Sequence, residues 1–351
     1  MISLRRLVLV GLALLVTAAG AFASGAQQAT TRELPPGPPF VSAAQPEDSG
    51  SVMPIRASDT PIRIAVIGLE NNPFWVPVRE GAEAADALLR QYNGRVDWIV
   101  PPGDAHTADV FGNAIEAAIT QRYDAIATIA GDSGIVPYIN RAVAAGIPVA
   151  TFNVETDAEN NRLFFVGADL YRQGLAAGEA MAAFFRQRGN TSPRIAVITG
   201  FFSVEGHELR RLGFEESIAA ELPGATIVGR VESSDSDANA YQQTQDFITA
   251  NPNLDGVYVA AGGNVGAARA IEDAGLAGRV HVFAYDFVEQ LMDFVRKGIV
   301  AGTIGQQPDA QGRDPAIRLF NYLVAGEIPE AGRMLTRSDF VTAENMADFG
   351  F

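Results

Sequence analysis
The sequence predicts an α/β protein of two doubly wound parallel-sheet lobes with a ligand cleft between them. Three observations carry that expectation. Short β-branched apolar runs alternate with amphipathic helical stretches at a regular pitch, the mark of a doubly wound parallel sheet. The pattern then begins again after about residue 167, giving a second five-strand set. Finally, the polar residues Asn72, Asn153, Asp235, Asp286 and Gln306 follow the ends of apolar runs, and open α/β sheets bind ligands outside the carboxyl ends of their strands.

The run 62–67 reads as a buried strand stopped by Gly68. Asn71, Asn72, Pro73, Phe74 and Trp75 follow, and a helical pattern starts near Val76. Aromatic faces cover the C–H faces of a small polyhydroxy ligand while amides pair with its hydroxyls. The same loop also reads as a hydrophobic plug with Asn in a turn. Strands follow at 96–100, 124–129, 147–151 and 163–166, with helices at 105–121 and from Asp132, a suitable N-cap, through 145. The second set has strands at 194–199, 225–231, 256–260, 280–284 and 301–305. Its helices fall at 169–188, 204–222, 237–250, 265–274, 287–297 and 309–324, with Asp237 expected to cap its helix.

Residues 1–23 read as a secretory signal: Arg5 and Arg6, an apolar run at 7–16 too short to span a bilayer, and Ala21-Phe22-Ala23 as the cleavage site. Residues 24–60, rich in Pro, Gly, Ser, Ala and Gln and without an apolar period, read as a disordered, partly extended tether. Removing Arg5 and Arg6 makes a net charge of −15 two units more negative, which repels nucleic acid and anionic lipid. The chain has no Cys, so disulfides, thiol nucleophiles and thiolate metal sites are excluded. His106, His207 and His281 are too dispersed to suggest a metal site, and His207 reads as a surface residue. No nucleophile elbow, catalytic triad order or paired-carboxylate motif points to an enzyme. No cofactor is expected; Gly262-Gly263-Asn264 reads as a tight turn and lacks a phosphate-loop pattern.

From about residue 62 to the end, the chain resembles the periplasmic sugar-binding proteins of ABC importers, in their ribose-binding-protein-like branch, which shares its core with the ligand domains of lac-repressor-type regulators. The resemblance rests on Asn71-Asn72-Pro73-Phe74-Trp75, Gly146-Ile147-Pro148-Val149, Val166-Gly167-Ala168-Asp169 and Arg210-x-x-Gly213-Phe214. Gly266-Ala267-Ala268-Arg269-Ala270, Ala284-Tyr285-Asp286 and Ile304-Gly305-Gln306-Gln307-Pro308 complete it. It implies three crossing segments, near Gly167, Gln306 and Met334. The lobes would then be 61–166 plus 307–334 and 167–306 plus 335–351, closing on the ligand by hinge motion.

The resemblance further implies that Asn72 bonds a ligand hydroxyl, that Phe74 and Trp75 sandwich its ring, that Asp286 accepts two hydroxyls and that Gln306 binds ligand at a crossing. Ribose-type members carry an Asp-Arg pair where this chain has Asn153-Val154, an Arg at Glu208 and a stacking Phe at Ser236. The pocket is therefore expected to lack two guanidinium groups and one ring, to keep Asp286 and to gain Glu208. Asp132, Phe202 and Asp237 are further candidates, with Phe201 or Phe202 as a replacement ring. The implied ligand is a neutral sugar, a polyol or an amine-bearing relative. The implied partner is an ABC permease, with delivery to a sensor kinase or chemoreceptor as the alternative. The protein is expected to act as a monomer in the periplasm, with no nucleic-acid partner.

Overall fold
The computed structural model describes residues 37–46, 48, 50–102 and 106–351. The signal segment and the first part of the proline-rich stretch, up to residue 36, lie outside the described residues. The first strands are β1 (Ala43–Ala44), β2 (Ile62–Ile67), β3 (Gly94–Ile99), β4 (Ala125–Thr128), β5 (Val149–Phe152) and β6 (Phe164–Gly167). Then come β7 (Arg194–Thr199), β8 (Thr226–Glu232), β9 (Gly256–Val259), β10 (His281–Tyr285), β11 (Val300–Gly305), β12 (Arg333–Leu335) and β13 (Asp339–Val341). The helices are α1 (Trp75–Leu89), α2 (Ala108–Thr120), α3 (Val136–Ala144), α4 (Leu170–Gln187) and α5 (Glu205–Glu221), followed by α6 (Asp237–Ala250), α7 (Asn264–Asp273), α8 (Glu289–Arg296) and α9 (Pro308–Ala325).

Two sheets result, ordered β1-β12-β6-β5-β4-β2-β3 and β13-β11-β10-β9-β7-β8. The chain passes from one to the other after β6, after β11 and between β12 and β13. Strands β4, β5, β6, β9 and β10 are buried on both faces, which is why they read as continuous apolar runs. Helix α9 returns to the first lobe because it fits tightly on α1. A Cβ on Gly312 would stand 1.8 Å from the Val78 carbonyl oxygen, so only glycine allows this approach.

The structure departs from the sequence reading at four places. The second sheet is not wholly parallel: β13 runs antiparallel to β11, because it enters from the third crossing without a crossover helix. From residue 37 the proline-rich stretch is docked, not free. Its β1 pairs with β12, Arg313 donates to the Val52 carbonyl at 2.7 Å, and Asn321 accepts from the Ile55 N–H while donating to the Met53 carbonyl. Composition hides this because the partners are α9 side chains reaching the stretch's backbone. Asp132 caps a short 3₁₀ turn ahead of α3, through Gly134 N–H. Ser236, not Asp237, caps α6.

Candidate ligand site between the lobes
A cavity of about 60 Å³ lies between the carboxyl edges of the two sheets. That is several times the roughly 10–15 Å³ needed to admit one water. The first lobe contributes Asn72, Phe74, Trp75, His106 and Asn153 to its wall. The second contributes His207, Arg210, Asp235, Asp237, Asn264 and Asp286, and Gln306 enters from a crossing.

Three of these residues stand just beyond β5, β8 and β10 with left-handed backbone: Asn153 at φ 66°, Asp235 at 56° and Asp286 at 71°. Asn and Asp tolerate that region better than other residues with a Cβ. A polar chain then links the lobes. Asn153 Nδ2 donates to Gln311 Oε1 at 2.9 Å, Gln311 Nε2 donates to the Gln306 carbonyl at 2.7 Å, and Gln306 Nε2 donates to Asp286 Oδ1 at 2.7 Å. Burial pushes the Asp286 carboxyl up from its ordinary value; the Arg210 charge and the Gln306 bond pull it back.

Asn72, Phe74, Trp75, Asn153, Asp286, Gln306 and Asp237 all reach the cavity. Two details differ from expectation. Phe74 and Trp75 meet edge to face, centroids 5.1 Å apart at 81°, so they cannot be the two parallel walls of a sandwich. Asn72 Oδ1 already accepts the Phe74 N–H, fixing the loop in an Asx turn. Three candidates stand elsewhere. Glu208 is held by Arg211, whose Nη2 lies 2.7 Å from Oε2, and has no place in the cavity wall. Asp132 is consumed by the N–H groups of Gly134 and Ala108. Phe202 is 42% exposed, while Phe201 packs on His106 and His207.

The cavity also contains Arg210 and His207, which the sequence reading did not place there, and Asp235, which its strand-end rule named. A guanidinium is present after all. Arg210 is buried, donates from Nε and Nη2 to Gln173 Oε1 at 3.0 and 2.7 Å and from Nη1 to the Ala260 carbonyl, and lies 4.0 Å over the Tyr285 ring. His207 is buried too, one helical turn before Arg210 on α5; the i, i+3 spacing was the available signal. Its Nδ1 accepts the Phe201 N–H at 3.1 Å, which places the proton of the neutral ring on Nε2. Burial lowers its pKa to about 4, against the pull of Asp235. Asp235 Oδ1 accepts the Gly262 N–H at 2.9 Å. Burial would raise its carboxyl, but His207, His106 and Gly262 outweigh that and hold it at about 2.

The lobes touch beside the cavity. Glu205 of α5 accepts from Thr156 Oγ1 at 2.8 Å and from the Asp157 N–H at 2.7 Å, and Val204 is wholly buried in the first lobe's core. Among the described residues no group of three or more His, Cys, Asp or Glu could hold a metal ion, and no helix is long and apolar enough to cross a membrane.

The family described as the periplasmic binding protein domain matches residues 64–327. The chain is 27% identical over 252 residues to the ABC transporter periplasmic-binding protein YphF of Escherichia coli K12, covering 69% of this chain and 74% of that protein. It is 26% identical over 295 residues to the D-ribose/D-allose-binding protein of Pseudomonas aeruginosa, covering 78% and 86%. Among solved structures, an ABC transporter solute-binding protein from Agrobacterium vitis with bound D-fucose is similar at a TM-score of 0.72 and 29% identity. The match covers 81% of this chain and 96% of that one.

Proposed function
The chain belongs to the periplasmic binding protein domain family, and from that premise we propose that it captures a neutral monosaccharide between its lobes and delivers it to an ABC importer. The observation that carries this reading is the convergence of Asn72, Trp75, Asp286 and Gln306 on one cavity from two lobes and a crossing. Carboxylates and amides accept and donate to hydroxyls, and an aromatic wall covers the C–H face. Three carboxylates against one guanidinium disfavour an anionic ligand. The relatives named for ribose and allose, and the solved neighbour holding fucose, support the same class. We place the protein outside the cytoplasm, as a binding protein and not an enzyme, working as a monomer with a membrane permease.

Tryptophan fluorescence tests this. The chain has two Trp, at 75 and 98. Trp75 is 2% exposed on the cavity wall, whereas Trp98 donates to Glu70 and does not line the cavity. Titration with D-allose, D-ribose, D-arabinose, D-galactose and D-fucose is expected to give a saturable change with at least one sugar. That change is lost in Trp75→Phe and kept in Trp98→Phe. A change that survives in Trp75→Phe removes Trp75 from the ligand's contacts.

A further inference from the structure
We propose that His106 of the first lobe and Asp235 of the second grip one hydroxyl of the bound sugar between them, so that this single position sets ligand specificity. The inference rests on the sugar-binding reading and deepens it. His106 is 7% exposed and lines the cavity, yet neither ring nitrogen makes a hydrogen bond among the described residues. Its ring is walled by Trp75, Phe111, Phe201 and His207, with centroids 5.8 to 6.4 Å away. The remaining polar direction leads to the cavity and to Asp235, whose Oδ2 lies 3.4 Å from His106 Nε2. The other carboxylate oxygen, Oδ1, is committed to Gly262. Gly200 makes room for this arrangement: a Cβ there would stand 2.2 Å from Asp235 Oδ1 and 2.7 Å from the His207 ring.

At 3.4 Å the pair makes at best a long direct contact, and a hydroxyl that bonds both at roughly 2.8 Å with near-tetrahedral geometry needs them about 4.5 Å apart, so the ligand enters by parting the two side chains by about 1 Å. A neighbouring carboxylate favours the tautomer with the proton facing it, here on Nε2. A hydroxyl accepts from that N–H and donates to the carboxylate. A methyl ether only accepts, and a deoxy carbon does neither. An ammonium group only donates and would meet the His106 N–H. The pair therefore selects a free hydroxyl at one ring position, and it is complete only when the lobes are closed.

The test is calorimetry on the full chain and on His106→Phe, His106→Gln and Asp235→Asn. The probes are D-allose, D-ribose, D-arabinose, D-galactose and D-fucose, followed by each monodeoxy and mono-O-methyl derivative of the tightest binder. In the wild type, one position is expected to lose tenfold or more in affinity both when deoxygenated and when methylated. In His106→Phe the parent sugar weakens about tenfold, and the penalty at that one position falls to within twofold while the other positions keep theirs. His106→Gln, which retains an N–H donor, recovers part of the affinity, and Asp235→Asn abolishes the distinction between hydroxyl and methyl ether. If the variants keep every positional penalty of the wild type, the inference is wrong and the sugar-binding reading stands. If the wild type binds no sugar at all, both fall.

Discussion

Replacing Asp286 by alanine is expected to weaken sugar binding about 10- to 100-fold, measured by calorimetry against the wild type. The carboxylate stands just beyond β10 with its backbone in the left-handed region, and Gln306 holds one of its oxygens. On the proposed sugar-binding reading, the second oxygen accepts from ligand hydroxyls. A hydrogen bond to a charged group contributes roughly 1.5–3 kcal/mol, which is about a 10- to 150-fold change in affinity. Truncation also leaves the Gln306 amide and the ligand hydroxyls without their acceptor. Alanine at a φ of 71° adds backbone strain, so Asp286→Asn is the control. It fits the left-handed backbone and keeps one acceptor, and is expected to retain more affinity than alanine. Unchanged affinity in both variants would remove Asp286 from the ligand's contacts.

Lowering the pH from 6.5 to 4 is expected to remove about 3 kcal/mol of folding stability through His207 alone. The folded pKa of this ring is depressed from 6.5 to about 4 by burial. The unfolded chain therefore takes up a proton at a higher pH than the folded one. The contribution is complete above pH 6.5 and declines as pH falls toward 4. Asp235 acts in the same direction but lower down: its pKa of about 2 lies below the ordinary 3.8, so its contribution is lost between those values. The two windows are separate. Denaturant unfolding of the wild type and His207→Phe at a series of pH values reads the histidine together with its hold on Asp235. The wild type should lose stability faster than the variant between pH 6.5 and 4, and parallel pH profiles in that window would show that the ring is not held neutral by burial.

Much of the architecture was legible because parallel strands covered on both faces must be continuously apolar, and the helices between them must carry one apolar face. Runs such as 125–128 and 256–259 admit few other readings. The strand-end rule also brought Asn153, Asp286 and Gln306 to the right edge. What escaped was set by side-chain direction at longer range. Glu208 and Arg210 are two positions apart on one helix, so they point to different sides: Arg210 lines the cavity and Glu208 pairs with Arg211 away from it. His207 looked like a surface residue because one helical turn shows nothing of the opposite lobe that buries it. His106 sits in a connection without apolar periodicity, and its partner Asp235 is 129 positions further along the chain and in the other lobe. The docked proline-rich stretch was hidden for a similar reason: its backbone is satisfied by Arg313 and Asn321 of a helix near the other end of the sequence.

The most direct measurement is a calorimetric titration of the exhaustively dialysed wild-type chain with neutral monosaccharides at two temperatures. One sugar molecule bound per chain, with a negative heat-capacity change from the apolar surface covered as the lobes close, is the predicted result. No heat from any neutral pentose or hexose at millimolar concentration would contradict it.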